Sequence, residues 1–357
     1  MRRWGWALLA LAACASAPPP ADVPLVTDAS VGDVVDVSVP DVVDVSAPDV
    51  VDVSAPDVVD ASAPDVIDVS APDVIDASAP DVVVDAGGAC GRAGARLGRW
   101  YQTLTSRGVT RQFYVSVPAN YDPARRYPLV VGLHGRDYDG IRMRDYLALE
   151  SQAPNDWAIF VYPDALRRTW GTLQATGWQN GPVASMTSSF GGTDDLAFID
   201  DMLAWMRDAY CLDPTRVFAT GQSWGGDFSN VVGCFRGDVF RAVAPVAANG
   251  DYYLPTRSDA AAPCVGAPAV WALHGINDTS IPFSQGGRYR DFWVRRHGCD
   301  ASASDPLTFA GAMGDDTCVA YRGCAQPVRW CAYNAASGHQ IPRAYYPREV
   351  VGWFRSF

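Results

Sequence analysis

A proline recurs at every eighth position from Pro40 to Pro80, in units such as Pro48-Asp49-Val50-Val51-Asp52-Val53-Ser54-Ala55, which bars the first quarter of this chain from an ordinary core. Valine alternating with polar residues could suit a stacked β-solenoid, but each unit's proline lacks a ladder donor and its aspartates repel their neighbours. The composition instead predicts an extended, disordered segment over residues 18–89. At about 3.1 Å per residue it reaches on the order of 200 Å. Two readings stay open: a tether that holds the rest away from an anchor, and a spacer that only adds solubility. Folding capacity therefore falls to residues 90–357, enough for one α/β domain.

Residues 1–17 read as an export signal, with Arg2 and Arg3, an apolar run from Trp4 to Ala13, then small residues. The run is too short to remain as a bilayer span. Leu11-Ala12-Ala13-Cys14 resembles a bacterial lipobox, which implies a lipidated Cys14 as mature N-terminus and anchoring at the outer-membrane surface. The other reading is cleavage after Ala15-Ser16-Ala17 and free secretion, with Pro18 awkwardly placed just past the cut.

The formal charge of −12 belongs to the repeat. Sixteen of the 40 acidic residues are aspartates within 22–86, a stretch without a basic residue, leaving 24 acids against 26 arginines beyond the leader. The domain is thus near neutral and carries no basic signature for nucleic acid. All 28 basic residues are Arg, and the absence of Lys excludes a Schiff-base lysine, a P-loop lysine and a Ser–Lys dyad. With Cys14 set aside, Cys90, Cys211, Cys234, Cys264, Cys299, Cys318, Cys324 and Cys331 form an even set, which suggests disulfides in an exported domain. No CxxC pair with His at ligand spacing accompanies them, so neither a metal nor another cofactor is expected. Eight cysteines allow on the order of a hundred pairings, and spacing alone leaves the choice open.

Within the domain, Arg111 to Pro118 alternates like an exposed strand. Pro128 to Leu133 and Ala158 to Tyr162 are continuous apolar runs of the kind buried in a parallel sheet. Asp194 to Tyr210 places Leu196, Ile199, Leu203, Met206 and Tyr210 on one helical face, with acids leading the first turn. Val217 to Thr220, Ala242 to Val246, Ala269 to Leu273 and Val328 to Tyr333 supply four more strands, and Val350 to Phe357 reads as a closing helix. The alternation predicts an α/β-hydrolase architecture, a doubly wound and mainly parallel sheet.

Gly221-Gln222-Ser223-Trp224-Gly225-Gly226 follows the strand ending at Thr220 and precedes a helix-compatible stretch. A serine at such an elbow needs small neighbours, because the turn is tight, and the elbow lifts its hydroxyl clear of the sheet. Serine is a poor nucleophile until a base takes its proton. In this fold the chain order is nucleophile, acid, base, which selects His339 in Gly338-His339-Gln340-Ile341-Pro342 beyond the final strand. His134 and His274, each in a Leu-His-Gly, read as turn-shaping residues, and His297 after Arg295-Arg296 as a solvated helix face. Asp278, after Leu273-His274-Gly275, stands where an acid can fix the imidazole tautomer. A plain turn aspartate is its other reading; Asp300, Asp305, Asp315 and Asp316 lie too far along the loop. The oxyanion donors are expected from the backbone amides of Trp224 and Arg136.

These residues, together with Gly177-Trp178-Gln179-Asn180-Gly181, Asp194-Asp195-Leu196-Ala197-Phe198, Tyr210-Cys211-Leu212-Asp213-Pro214 and Ala244-Pro245-Val246, resemble the feruloyl esterases and related polyhydroxybutyrate-depolymerase-like esterases. The resemblance runs through nearly all of residues 90–357. It implies catalysis by Ser223, Asp278 and His339, a disulfide between Cys211 and Cys234, and a cysteine-rich cluster from Cys299 to Cys331. It also implies a substrate-facing wall involving Trp178, Trp224 and His134, although a core role for Trp178 is the equal alternative. The departures are Gln340-Ile341 where Trp-Pro is common after Gly-His, and Arg136 where a small residue or cysteine is common. Both bear on substrate choice. The implied activity is hydrolysis of hydroxycinnamate esters on xylan by a monomeric domain, with polyester depolymerisation and acetyl-xylan deacetylation as alternatives. A silent carbohydrate-binding module on a stalk is the non-enzymatic reading, against which stand all three triad residues.

Overall fold

The computed structural model describes residues 89–154, 157–181, 192–251, 253–255, 263–336 and 338–357. The export signal, Cys14 and the proline repeat lie outside the described residues. The described chain begins with β1 (Gly98–Ser106), β2 (Val109–Val117), β3 (Tyr127–Leu133), α1 (Gly140–Leu147), β4 (Ile159–Pro163), β5 (Arg167–Trp170) and β6 (Leu173–Thr176). It continues through α2 (Asp194–Ala209), β7 (Leu212–Gln222), α3 (Trp224–Phe235), β8 (Phe240–Val246), β9 (Ala269–Gly275) and α4 (Phe283–Arg296). It closes with β10 (Asp300–Leu307), β11 (Thr317–Arg322), β12 (Val328–Tyr333) and α5 (Tyr346–Arg355).

Ten strands form one sheet in the order β1-β2-β4-β3-β7-β8-β9-β12-β11-β10, and β5 pairs with β6 in a separate hairpin. The six central strands run parallel, while β1 and β2 at one edge and β11 and β10 at the other are antiparallel. Alternate residues of each central strand enter opposite cores. Leu129, Val131 and Leu133 of β3 meet α2, α3 and α4 on one face, while Val130 joins the face covered by α1 and α5. Because both faces are covered, the strands read as continuous apolar runs rather than as alternations. From β3 the chain passes to β4 on one side and then returns to β7 on the other. That reversal opens a crevice at the carboxyl ends of β3 and β7, where α/β sheets place their ligands.

Four disulfides staple the domain: Cys90–Cys211, Cys234–Cys264, Cys299–Cys324 and Cys318–Cys331. They correct the implied Cys211–Cys234 bond. Ala89 N donates to Arg207 O (3.4 Å), which brings the start of the domain against the end of α2 beside Cys211. Cys234 lies in the last turn of α3, where its carbonyl accepts from Val265 N at 2.7 Å and so draws in Cys264. Disulfides on this scale fit folding in an oxidising compartment and a secreted protein. The closing helix starts at Tyr346 instead of Val350, with Pro347 in its first turn.

Candidate active site

Ser223 stands between β7 and α3 with φ 58° and ψ −125°, a backbone conformation that is costly for a residue with a side chain. Glycine neighbours make it possible. A Cβ at Gly221 would overlap the carbonyl oxygens of Gly225 and Leu133, and one at Gly225 would overlap Leu133 O. Ser223 N donates to Val246 O (3.0 Å) and Asp227 N to Ser223 O (2.9 Å), fixing the elbow from both sides. The hydroxyl therefore stands at the amino end of α3 and at the crevice.

His339 arrives from the segment after β12, Asp278 from the segment after β9. His339 Nε2 lies 2.9 Å from Ser223 Oγ, and His339 Nδ1 lies 2.7 Å from Asp278 Oδ2. The other Asp278 oxygen accepts from Ser280 N (2.8 Å) and Ile281 N (2.9 Å). With the Asp278 side chain buried, Nδ1 keeps the imidazole proton and Nε2 offers its lone pair to the serine hydroxyl. The two loops meet backbone to backbone. A Cβ at Gly275 would overlap Gly338 O, and Gly338 takes φ 69° against Asn277 O. Asn277 Nδ2 donates to Ala335 O (2.8 Å), Tyr333 Oη to Gln340 O (2.7 Å), and Ile341 N to Tyr146 Oη (2.9 Å), so the segment around His339 is held at three points.

A cavity of ≈ 590 Å³ opens onto Ser223 and His339, lined in part by Arg136, Tyr138, Tyr146, Trp224, Asn249 and Ile281. The Arg136 amide has no acceptor among the described residues. Trp224 is the first residue of α3. The Arg136 guanidinium lies 5.7 Å from the Trp224 ring centre and 3.9 Å from Asp137, at the rim. Among the described residues no group of three or more His, Cys, Asp or Glu side chains is placed to hold a metal ion.

Beyond this geometry, the chain is 30% identical over 235 residues to feruloyl esterase C of Emericella nidulans, covering 64% of this chain and 76% of that protein. The chain belongs to the feruloyl esterase family. Feruloyl esterase D of Neurospora crassa is 28% identical over 251 residues, covering 65% of this chain and 76% of its own. Among solved structures, an acetyl xylan esterase from Aspergillus awamori matches 72% of this chain and 99% of its own, with a TM-score of 0.53 and 20% identity. A thermostable esterase matches 72% of this chain and 62% of its own, with a TM-score of 0.51 and 18% identity. These two neighbours share the fold. No family model matches the sequence. This feruloyl-esterase family chain is a carboxylic ester hydrolase with the α/β-hydrolase fold.

Three expectations need correction. For Trp178 the core alternative holds and the site-wall reading falls: it is 1% exposed, stacks on Phe228 at 4.7 Å and donates from Nε1 to His134 O at 2.8 Å. His134 is fully buried, so it contacts no substrate. Its Nε2 accepts from Ala165 N (2.9 Å), which leaves Nδ1–H to donate to Gly135 O (2.7 Å), and burial lowers its pKa to about 4. Both residues brace the Gly135–Arg136 segment from beneath. His297 is 3% exposed and stacks on Trp293 at the end of α4, because its turn packs inward despite the two arginines before it; burial lowers its pKa to about 4. His274 is buried too, bonding Ile281 O through Nε2 (2.9 Å) behind Asp278. Sequence reading did not single out Tyr138, Tyr146 or Asn249, which reach the cavity from segments without motif spacing.

Proposed function

We propose that Ser223 attacks the ester carbonyl carbon while His339 Nε2 takes its proton and Asp278 stabilises the resulting imidazolium. The amides of Trp224 and Arg136 receive the oxyanion, a contribution of about 3–4 kcal/mol for one such donor. Collapse expels the alcohol oxygen, which takes the proton from His339 and leaves an acyl group on Ser223. Water, deprotonated by His339, attacks that acyl carbon; the acid departs and Ser223 recovers its proton. The observation that carries the reading is the hydrogen-bonded series Asp278–His339–Ser223 at the mouth of the cavity.

The substrate in this reading is a hydroxycinnamate ester of plant cell-wall polysaccharide, such as feruloylated xylan. Support comes from relatives named feruloyl esterases and from the aromatic lining of Trp224, Tyr138 and Tyr146. Rates on methyl ferulate, 3-hydroxybutyrate oligomers and acetylated xylan test it. The expected order has methyl ferulate first, and preference for either of the others rejects the hydroxycinnamate reading.

The proposal extends to organisation, with an export signal over 1–17, a tether over 18–89 and the hydrolase over 90–357. Lipid on Cys14 would place the enzyme at a membrane surface facing bulky polymer. Support comes from the Leu11-Ala12-Ala13-Cys14 string alone. Cys14→Ser is expected to release the protein from membranes, and unchanged membrane association contradicts the anchor.

A further inference from the structure

Asp227 is 1% exposed in the first turn of α3, four residues past Ser223, with no cationic partner among the described residues. A carboxylate buried this deeply is unfavourable unless strong donors meet it. Both donors here come from one residue. Asn249 N donates to Asp227 Oδ1 at 2.6 Å, and Asn249 Nδ2 donates to Asp227 Oδ2 at 2.7 Å. Asn249 itself lines the cavity in front of Ser223. The segment that carries it holds two left-handed backbone angles: Ala247 takes φ 50°, and Gly250 takes φ 70° where a Cβ would overlap Gln285 Oε1. Non-glycine residues hold such angles only where the surroundings impose them.

Once ionised, from about pH 7 upward, the Asp227 carboxylate accepts hydrogen bonds and cannot donate them, so it dictates which way round the Asn249 amide sits. The nitrogen is turned toward the carboxylate, and Oδ1 remains as an oriented acceptor on a residue of the cavity wall. We propose that Asn249 recognises a hydroxyl group of the bound ester, its Oδ1 accepting from that hydroxyl, and that Asp227 is the positioning residue that fixes the amide. This inference rests on the cavity being the site of ester cleavage. The hydroxyl belongs to the aromatic ring of the acyl group or to the sugar of the leaving alcohol. Either source leaves the amide unsatisfied when the hydroxyl is missing, and a site built to bond a hydroxyl discriminates strongly against the analogue that lacks it.

Two substrate pairs, assayed above the Asp227 titration at about 7, distinguish the sources. One compares methyl 4-hydroxycinnamate with methyl cinnamate; the other compares an arabinose ester of cinnamic acid with methyl cinnamate. The full chain is expected to favour the hydroxyl-bearing member of one pair by about tenfold or more in kcat/KM. Asn249→Ala is expected to bring that ratio to within about threefold of unity, mainly through a higher KM for the hydroxyl-bearing ester. Asp227→Asn, which frees the amide to turn, is expected to lower the same ratio in the same pair. Asn249→Ser serves as the second variant should the alanine variant fold poorly, and the same collapse is expected. A preference that survives in Asn249→Ala or Asn249→Ser overturns the proposal, as does a wild-type protein with no preference in either pair. Wild-type protein that cleaves none of the esters overturns the assignment of the cavity itself, a result separable from the other two.

Discussion

Gln222 donates from Nε2 to the backbone carbonyl of His339 at 2.8 Å, so the residue ahead of Ser223 also holds the segment that carries His339. Cleaving this link leaves the triad's side chains intact and loosens only their alignment. A neutral hydrogen bond contributes about 0.5–1.5 kcal/mol. Gln222→Ala is therefore expected to lower kcat by roughly threefold to tenfold, with KM little changed, in steady-state assays on methyl ferulate. An unchanged kcat contradicts this role for Gln222.

Asp278 is the only carboxylate bonded to His339 among the described residues, and its second oxygen is already engaged by Ser280 N and Ile281 N. Asp278→Asn preserves shape but offers an N–H where the imidazole needs an acceptor, favouring the wrong tautomer. The expected loss in kcat is about 10⁴ with KM nearly preserved. A loss under about tenfold would mean that another group orients the base.

How much of this arrangement the sequence disclosed depends on how local each cause is. The runs at β3, β4 and β9 were legible because both faces of those strands are buried, leaving no polar alternation. Ser223 was legible because its turn demands Gly221 and Gly225, a constraint written within five residues. Strand β10 has no fully buried residue, so no apolar period marks it; its place comes from pairing with β11 and from the Cys299–Cys324 bond beside it. His297 looked solvated after two arginines, yet its environment is set by Trp293 one helical turn earlier and by the packing of α4. Asn249 had no signal of its own, since its importance comes from Asp227, 22 positions away. Disulfide pairing was similarly out of reach, because it follows from which chain ends the fold brings together.

The corrected disulfides differ in the loops they close. Cys90–Cys211 has a sequence separation of 121, and Cys318–Cys331 one of 13. Loop entropy assigns about 4–5 kcal/mol to the first and about 3 kcal/mol to the second. Paired serine substitutions at 90 and 211 are thus expected to lower the urea midpoint more than those at 318 and 331. The opposite order would contradict this assignment.

Burial lifts the Asp227 carboxyl to about 7, outweighing the hydrogen bonds from Asn249 that pull it down. Between the unfolded value, about 3.9, and that raised value, the folded state holds a proton the unfolded chain has released. The contribution of this group to stability is greatest below about pH 4 and is lost as pH rises through about 7. Asp227→Asn removes that slope. Its unfolding free energy relative to wild type is expected to rise by about 2–3 kcal/mol from pH 5 to pH 8, read from urea denaturation at each pH. A difference that stays flat over the interval contradicts a buried, proton-holding Asp227.

Whether His339 makes Ser223 Oγ nucleophilic is read by incubating the folded protein with a fluorophosphonate and locating the adduct by mass spectrometry. One stoichiometric adduct on Ser223 is expected, with loss of esterase activity in step with it, and labelling that is abolished in Ser223→Ala and strongly slowed in His339→Ala. Folded, ester-cleaving protein that carries no adduct at Ser223, or carries it at another residue while activity disappears, rules out Ser223 as the nucleophile.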